Sequence, residues 1–377
     1  MMKKSEFNVP GLRGGGEKVL FLCLFCAFSA LALSSCRSGD PEYAYQEYPE
    51  LSRMDRELFR ELRLPRPGGA ERCLENGANP NARDEKGLVP LHLAVINGNL
   101  DLMKLLLESG ADPDAQSRTG YSPLHAAAAL SEYAAAKILL EAGADPDITN
   151  RNGWTPLMEA ARLGRLETAG LLAARGASLD RTDKEKRNVL MFAAMAPKHS
   201  LEMTKLLLDH AARKGKSSAL LNAADLSGRT PAAWALLSGN SDTALYLIDL
   251  IPDCREGAEG EFAGLLAMKY AIGANNIEAV RKLIARGLPL NHDLSLAYKT
   301  ARILKVDGIH EIFARNGIIE DGKTPLIWAA EADNVDLIRI LLQAGADPFQ
   351  KDNAGNTASR YASDYAAVRE LEKAMKK

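Results

Sequence analysis

From about residue 51 onward, apolar residues come in short bursts at helical spacing, two bursts to each stretch of roughly 33 residues. Residues 84 to 116 show one full cycle. Val89-Pro90-Leu91-His92-Leu93-Ala94 opens a first helix, and Asn97-Gly98-Asn99 breaks it. Leu102, Leu105, Leu106 and Leu107 then mark a second helix, which Gly110 ends because glycine can take the left-handed cap conformation. Ala111-Asp112-Pro113-Asp114 supplies a turn, and Gly120 lies at the tip of the next one. Neither burst can bury its apolar side alone, so the pattern predicts helix pairs stacked into one continuous seam.

The cycle repeats with little change. Gly120-Tyr121-Ser122-Pro123-Leu124 is followed by Gly143-Ala144-Asp145-Pro146, and Gly153-Trp154-Thr155-Pro156-Leu157 by Gly176-Ala177-Ser178. Near the end, Gly322-Lys323-Thr324-Pro325-Leu326 is followed by Gly345-Ala346-Asp347-Pro348. Gly87, Gly120 and Gly153 are 33 residues apart, as are Gly322 and Gly355. The hydroxyl before the proline, at Ser122, Thr155, Thr230 and Thr324, suits a helix N-cap, and proline suits the position after it. A fixed period of this length specifies a stacked solenoid.

These segments resemble the ankyrin repeat. The resemblance implies an all-α solenoid of about ten helix-turn-helix units with projecting β-turns. It is close in the units starting near Asp84, Ser117, Asn150, Asp225, Ile319 and Asp352. It weakens over residues 183–320, where Asn188-Val189-Leu190 replaces Thr-Pro-Leu and Lys186 stands in the tip-glycine position. An insertion around Lys214 to Ser218 follows, then a helix pair without the turn motif, then a loosely patterned pair from Leu294 to Asn316. This irregular middle is either a second site or drift. Residues 51 to 79 read as a degenerate first unit, and the charged helix from Asp364 to Lys377 as a terminal cap.

The first fifty residues follow another rule. Lys3, Lys4, Arg13 and Lys18 precede an apolar run from Val19 to Leu33, too short for a membrane-spanning helix of ~20 residues but suited to a secretion signal. The run ends Leu33-Ser34-Ser35-Cys36, which resembles the lipobox of bacterial lipoproteins. The resemblance implies residues 1–35 as a signal peptide, cleavage after Ser35 and a lipid on Cys36. The alternative is an uncleaved signal anchor. Residues 36–50 read as a flexible tether leading into a repeat domain over 51–377. Arg37, rather than aspartate, after the cysteine favours the outer over the inner membrane by the same resemblance, with the solenoid in the periplasm.

Composition agrees with a Leu/Ala seam: 46% of residues are hydrophobic but only 6% aromatic. Net charge is −2, and removing the first 35 residues, with four basic and two acidic side chains, leaves −4. That gives no electrostatic case for nucleic acid, which needs a basic stripe. Cys73 and Cys254 sit several repeats apart, too far for a disulfide. His92 and His125 share one repeat position and read as structural hydrogen bonders. No nucleophile, metal-ligand or phosphate-loop motif lies outside the signal. The sequence therefore predicts no enzyme, no cofactor, no metal and no small-molecule substrate.

What remains is a binding surface. By the resemblance, a protein partner contacts the concave face, made of turn tips and first helices. Carried onto this chain, that face includes Lys86, Arg118, Tyr121, Arg151, Trp154, Arg162, Trp234 and Trp328. Tyr, Trp and Arg are the types most often found as binding anchors, although the aromatic residue after a tip glycine can equally pack on its own turn. The expected role is a membrane-anchored scaffold, tether or immunity-type inhibitor. The alternative is an effector acting on host-cell proteins.

Overall fold

A computed structural model describes residues 51–63, 68–251, 258–294 and 321–376. The signal, lipobox and tether expected over residues 1–50 lie outside them, as does Cys254. The described residues form nineteen helices and one isolated bridge, Thr182 to Asn188. The chain divides into two compact units, residues 1–151 and 152–377.

In the first unit three helix pairs succeed one another: α1 (Arg53–Arg63) with α2 (Gly69–Glu75), α3 (Pro90–Ile96) with α4 (Leu100–Glu108), and α5 (Pro123–Leu130) with α6 (Tyr133–Glu141). First helices pack on first helices and second on second, so α1, α3 and α5 form one row and α2, α4 and α6 another.

Among the described residues, the second unit holds six pairs. Its first-helix row is α7 (Pro156–Arg162), α9 (Val189–Ala194), α12 (Pro231–Leu237), α14 (Ala258–Gly273), α16 (Pro325–Glu331) and α18 (Ala358–Tyr361). Its second-helix row is α8 (Leu166–Ala174), α10 (Ser200–Arg213), α13 (Ser241–Asp249), α15 (Ile277–Ala285), α17 (Val335–Gln343) and α19 (Tyr365–Met375). A short extra helix, α11 (Ser217–Asn222), occupies the expected insertion.

The core is the seam predicted from the sequence. Leu91, Met103, Leu106, Leu124 and Leu139 are fully buried in the first unit, as are Leu157, Leu172, Leu190, Phe192 and Leu283 in the second. Alanines such as Ala127, Ala128, Ala160 and Ala161 are equally buried, which lets neighbouring helices approach to ~8–10 Å. The hydroxyl caps form at Ser122, Thr155 and Thr230, which accept from the backbone N–H three residues on. Asn188 does the same for α9. Thr324 makes no such bond, so proline's fixed φ and the buried seam set the start of α16 without it.

The irregular middle keeps the stacking rule. Lys186 holds the tip-glycine position with φ 62°, the left-handed conformation that glycine supplies elsewhere. Helix α10 runs 14 residues where α8 and α13 run nine. The pair expected from Leu294 to Asn316 lies outside the described residues apart from Leu294. The helices on either side of it in sequence pack directly together, α14 on α16 and α15 on α17. The turn bond that joins Asn81 to Asp112 across 31 residues here joins Asn291 to Asp347 across 56.

Candidate partner-binding face

The turn tips are joined by backbone. In the first unit Arg118 N donates to Lys86 O at 3.0 Å, and Arg151 N to Thr119 O at 3.2 Å. The expected residues Lys86, Arg118 and Arg151 therefore sit on three consecutive, mutually bonded tips. Lys86 and Arg151 are exposed, whereas Arg118 and Tyr121 are half-buried. In the second unit the same bonds join Lys184 N to Asn152 O at 3.1 Å and Leu226 N to Glu185 O at 2.9 Å.

Four turns are locked by a buried acid six residues before the first helix, at Asp84, Asp183, Asp225 and Asp352. Asp183 Oδ1 accepts from the N–H of Glu185 and Arg187, at 3.0 and 2.7 Å. Its Oδ2 accepts from Arg187 Nε at 2.8 Å and Trp154 Nε1 at 3.1 Å. Asp225 repeats this with Ser227 N, Arg229 N, Arg229 Nε and Trp234 Nε1. Asp84 accepts from Lys86 N, Leu88 N and Arg63 Nη2. Asp352 accepts from Ala354 N, Asn356 N and the Tyr361 hydroxyl. Burial would raise the Asp352 pKa, but those donors and the Lys323 charge outweigh it and hold the carboxyl below its ordinary value. These acids were visible in the sequence only as the starts of units. Their shared place, six residues before the first helix in all four, was the available clue.

The histidines are structural, as the resemblance implied. His92 Nε2 donates to the Tyr121 carbonyl of the next repeat at 2.9 Å, while Nδ1 accepts from Val89 N at 3.3 Å. Accepting at Nδ1 while donating at Nε2 requires the neutral ring. Burial lowers its pKa to about 4.

Trp154 is a shared residue. Its indole is bonded to Asp183, its ring meets Phe192 edge-on at 5.2 Å, and the guanidinium of Arg162 lies 5.4 Å from its centroid. Arg162 is itself paired with Glu159 at 2.6 Å. Trp234, half-buried, carries Arg229 over its face at 4.1 Å. Trp328 is 6% exposed, with the Lys269 amine 5.7 Å from its centroid.

Trp234 and Trp328 are two members of a longer register. From α3 onward, the residue three after the start of the first helix is Leu93 and Ala126 in the first unit, then Glu159, Phe192, Trp234, Trp328 and Tyr361 in the second. In α14, which starts early, the equivalent residue is Tyr270, counted back from the Asn276 cap of α15. Among the described residues, the position is aromatic in every first helix from Phe192 onward. Sequence reasoning found only the two tryptophans, because Phe192, Tyr270 and Tyr361 lie in units lacking the Thr-Pro marker that Trp234 and Trp328 share.

A family model described as ankyrin repeats in three copies matches residues 67–150, 91–183, 135–218 and 157–258, and one described as ankyrin repeat matches 321–353. The chain belongs to the ankyrin-repeat family. Such ankyrin repeats are typically binding scaffolds, and none of these matches is to an enzyme family. A search of curated proteins found no match. Among the described residues, no helix of this ankyrin protein is long and apolar enough to cross a membrane, and no cluster of three or more His, Cys, Asp or Glu is poised for a metal ion. Cys73 is a buried free thiol whose pKa burial raises.

Proposed function

We propose that this protein is a membrane-anchored ankyrin scaffold or inhibitor in a bacterial envelope, holding another protein by its inner face. The observation that supports it best is the run of basic tips at Lys86, Arg118 and Arg151, tied to one another by backbone hydrogen bonds, with half-buried Tyr121 beside them. A rigid scaffold carrying Trp, Tyr and Arg at regular intervals is suited to protein recognition, because ordering such a face on binding costs little further entropy. The lipobox-like Leu33-Ser34-Ser35-Cys36 supports the anchor.

The test is affinity purification of the tagged full-length protein from its own membranes, with mass spectrometry of what co-elutes. A stoichiometric protein lost from the Lys86→Ala/Arg118→Ala/Arg151→Ala variant is the expected result. Co-elution unchanged in that variant would remove this face from the reading.

A further inference from the structure

Most turns of this chain carry a buried carboxylate, and two neighbouring turns do not. Six residues before the first helix, Asp84, Asp183, Asp225 and Asp352 are buried acids. Three of them hold a guanidinium: Asp84 pairs with Arg63 at 3.1 Å, Asp183 with Arg187 at 2.7 Å and Asp225 with Arg229 at 2.8 Å. In the two turns between Asp84 and Asp183 the same place holds Ser117 and Asn150, both buried and both neutral. Ser117 still closes its turn, since its Oγ accepts from Tyr121 N at 3.1 Å and lies 3.1 Å from Thr119 Oγ1. The turn survives there without the charge.

The cations of this stretch remain. Over residues 83–88, 116–121 and 149–151, Arg83, Lys86, Arg118 and Arg151 stand against two acids, Asp84 and Glu85. Asp84 is committed to Arg63 and to the backbone N–H of Lys86 and Leu88, and Glu85 is exposed on the first tip. The acids of the preceding turns cap backbone: Asp112 accepts from Asp114 N, Asp114 from Asp145 N and Asp145 from Asp147 N, each at 2.9 Å. Within the first unit these turns enclose an open polar cavity of about 350 Å³. Its wall includes Arg83, Gln116, Ser117, Thr149, Asn150 and Arg151, and none of the residues that line it is acidic. Two wall carbonyls already accept, Gln116 O from Arg83 Nη1 and Thr149 O from Gln116 Nε2 at 2.8 Å. Bonds to carbonyls hold the Arg83 guanidinium in place without neutralising it. Two guanidinium groups lining one acid-free cavity repel each other, and an anion between them relieves that.

We propose that this cavity binds the carboxylate of an Asp or Glu side chain presented by an extended acidic segment of the protein partner. A guanidinium matches a carboxylate in shape and can hold both its oxygens. The tips argue for a segment rather than a lone ion. Lys86, Arg118 and Arg151 stand on consecutive, mutually bonded turns, and stacked repeats advance ~8–10 Å per step. An extended chain covers that step in about three residues. The preferred ligand therefore has one acid for the cavity and a second about three residues away for the neighbouring tip. This rests on the inner-face reading above and adds the chemistry of what that face holds.

The experiment selects displayed random peptides on the full-length protein, each of about 12 residues, enough to cross three tips when extended. The best peptide is then made with a C-terminal amide, so that only side-chain carboxylates remain, and its affinity is measured. Selected peptides should share two acids three residues apart. Changing the acids to their amides should weaken binding to wild type roughly tenfold or more. Ser117→Asp/Asn150→Asp restores the acid that four other turns carry. This variant should unfold thermally as wild type does, because the turn accepts Asp at that place elsewhere in the chain. It should bind the acidic peptide at least tenfold more weakly, since its own carboxylates answer the guanidinium groups. Ser117→Asn, close to Asp in size but neutral, should bind as wild type does.

Selected peptides without a shared acid, or an amide peptide that binds wild type as well as the acid one, would overturn the carboxylate site without any change to the protein. So would a folded Ser117→Asp/Asn150→Asp variant with wild-type affinity. Inorganic phosphate is the probe for a small-anion site: uptake by calorimetry with no acidic peptide selected would overturn the segment. The inner-face reading is decided separately. A native partner that co-elutes with Ser117→Asp/Asn150→Asp but not with Lys86→Ala/Arg118→Ala/Arg151→Ala would leave that face standing and remove only the carboxylate.

Discussion

At the scale of single residues, this solenoid depends on buried polar groups with fixed protonation. His92 gives the clearest consequence. Its pKa is lowered to about 4 by burial, whereas an exposed histidine titrates near ~6.5. Between those values the unfolded chain binds the proton and the folded chain does not. The contribution of His92 is therefore complete above the unfolded pKa and is lost as pH falls towards the folded one. Urea unfolding should show stability about 2 kcal/mol lower at pH 5 than at pH 7.5 from this group, and His92→Gln should flatten much of that slope. A slope unchanged in the variant would assign it elsewhere. Asp225 is the second case. It is fully buried and takes four donors, so Asp225→Ala should cost roughly 2–3 kcal/mol in urea unfolding. The histidine's role was legible in the sequence because its position after Pro-Leu repeats at His92 and His125. The role of the aspartate was not, since its partners are backbone amides and an indole that only the folded turn brings to it.

At the scale of elements, the signals that worked were local. Proline at the first helical position, a hydroxyl or amide before it, and glycine after the second helix each act within one turn of backbone, so sequence alone located most helices. Asn99 shows where that reading stopped short. It reads as a helix breaker, yet its side chain accepts from Leu102 N at 3.0 Å and starts α4. Asn276 and Asn334 do the same for α15 and α17. Asn99→Ala should cost about 1 kcal/mol in chemical denaturation, and Asn99→Asp should restore it. The tip glycines answer to a non-local demand. Gly120 has φ 79°, and a Cβ there would stand 2.6 Å from Arg151 N on the next tip. Gly120→Ala should thus strain both its own turn and the bond between tips, for roughly 1–3 kcal/mol. The direct packing of α14 on α16 was not legible at all. Chain order puts the residues from 295 to 320 between the two repeats, and helical patterning cannot say which pairs are neighbours in the row.

At the scale of the whole molecule, the proposed membrane attachment can take two forms, and both give the same fractionation result. Residues 36–50 span at most ~45–50 Å when extended, so either attachment keeps the solenoid close to the bilayer. If Cys36 is acylated, burial of several acyl chains at ~0.8 kcal/mol per CH₂ gives firm anchoring. If the leader is retained, the apolar run from Val19 to Leu33 holds the chain instead. Cys36→Ala is therefore expected to remain with membranes, and loss from the membrane fraction is the wrong readout. Mass spectrometry of the N-terminal peptide separates the two. Wild type should begin at Cys36 and carry the added mass of a diacylglycerol thioether. Cys36→Ala should begin upstream, with the leader uncleaved and no lipid. A wild-type chain that begins at Met1 and has unmodified Cys36 would replace the lipid anchor with a signal anchor.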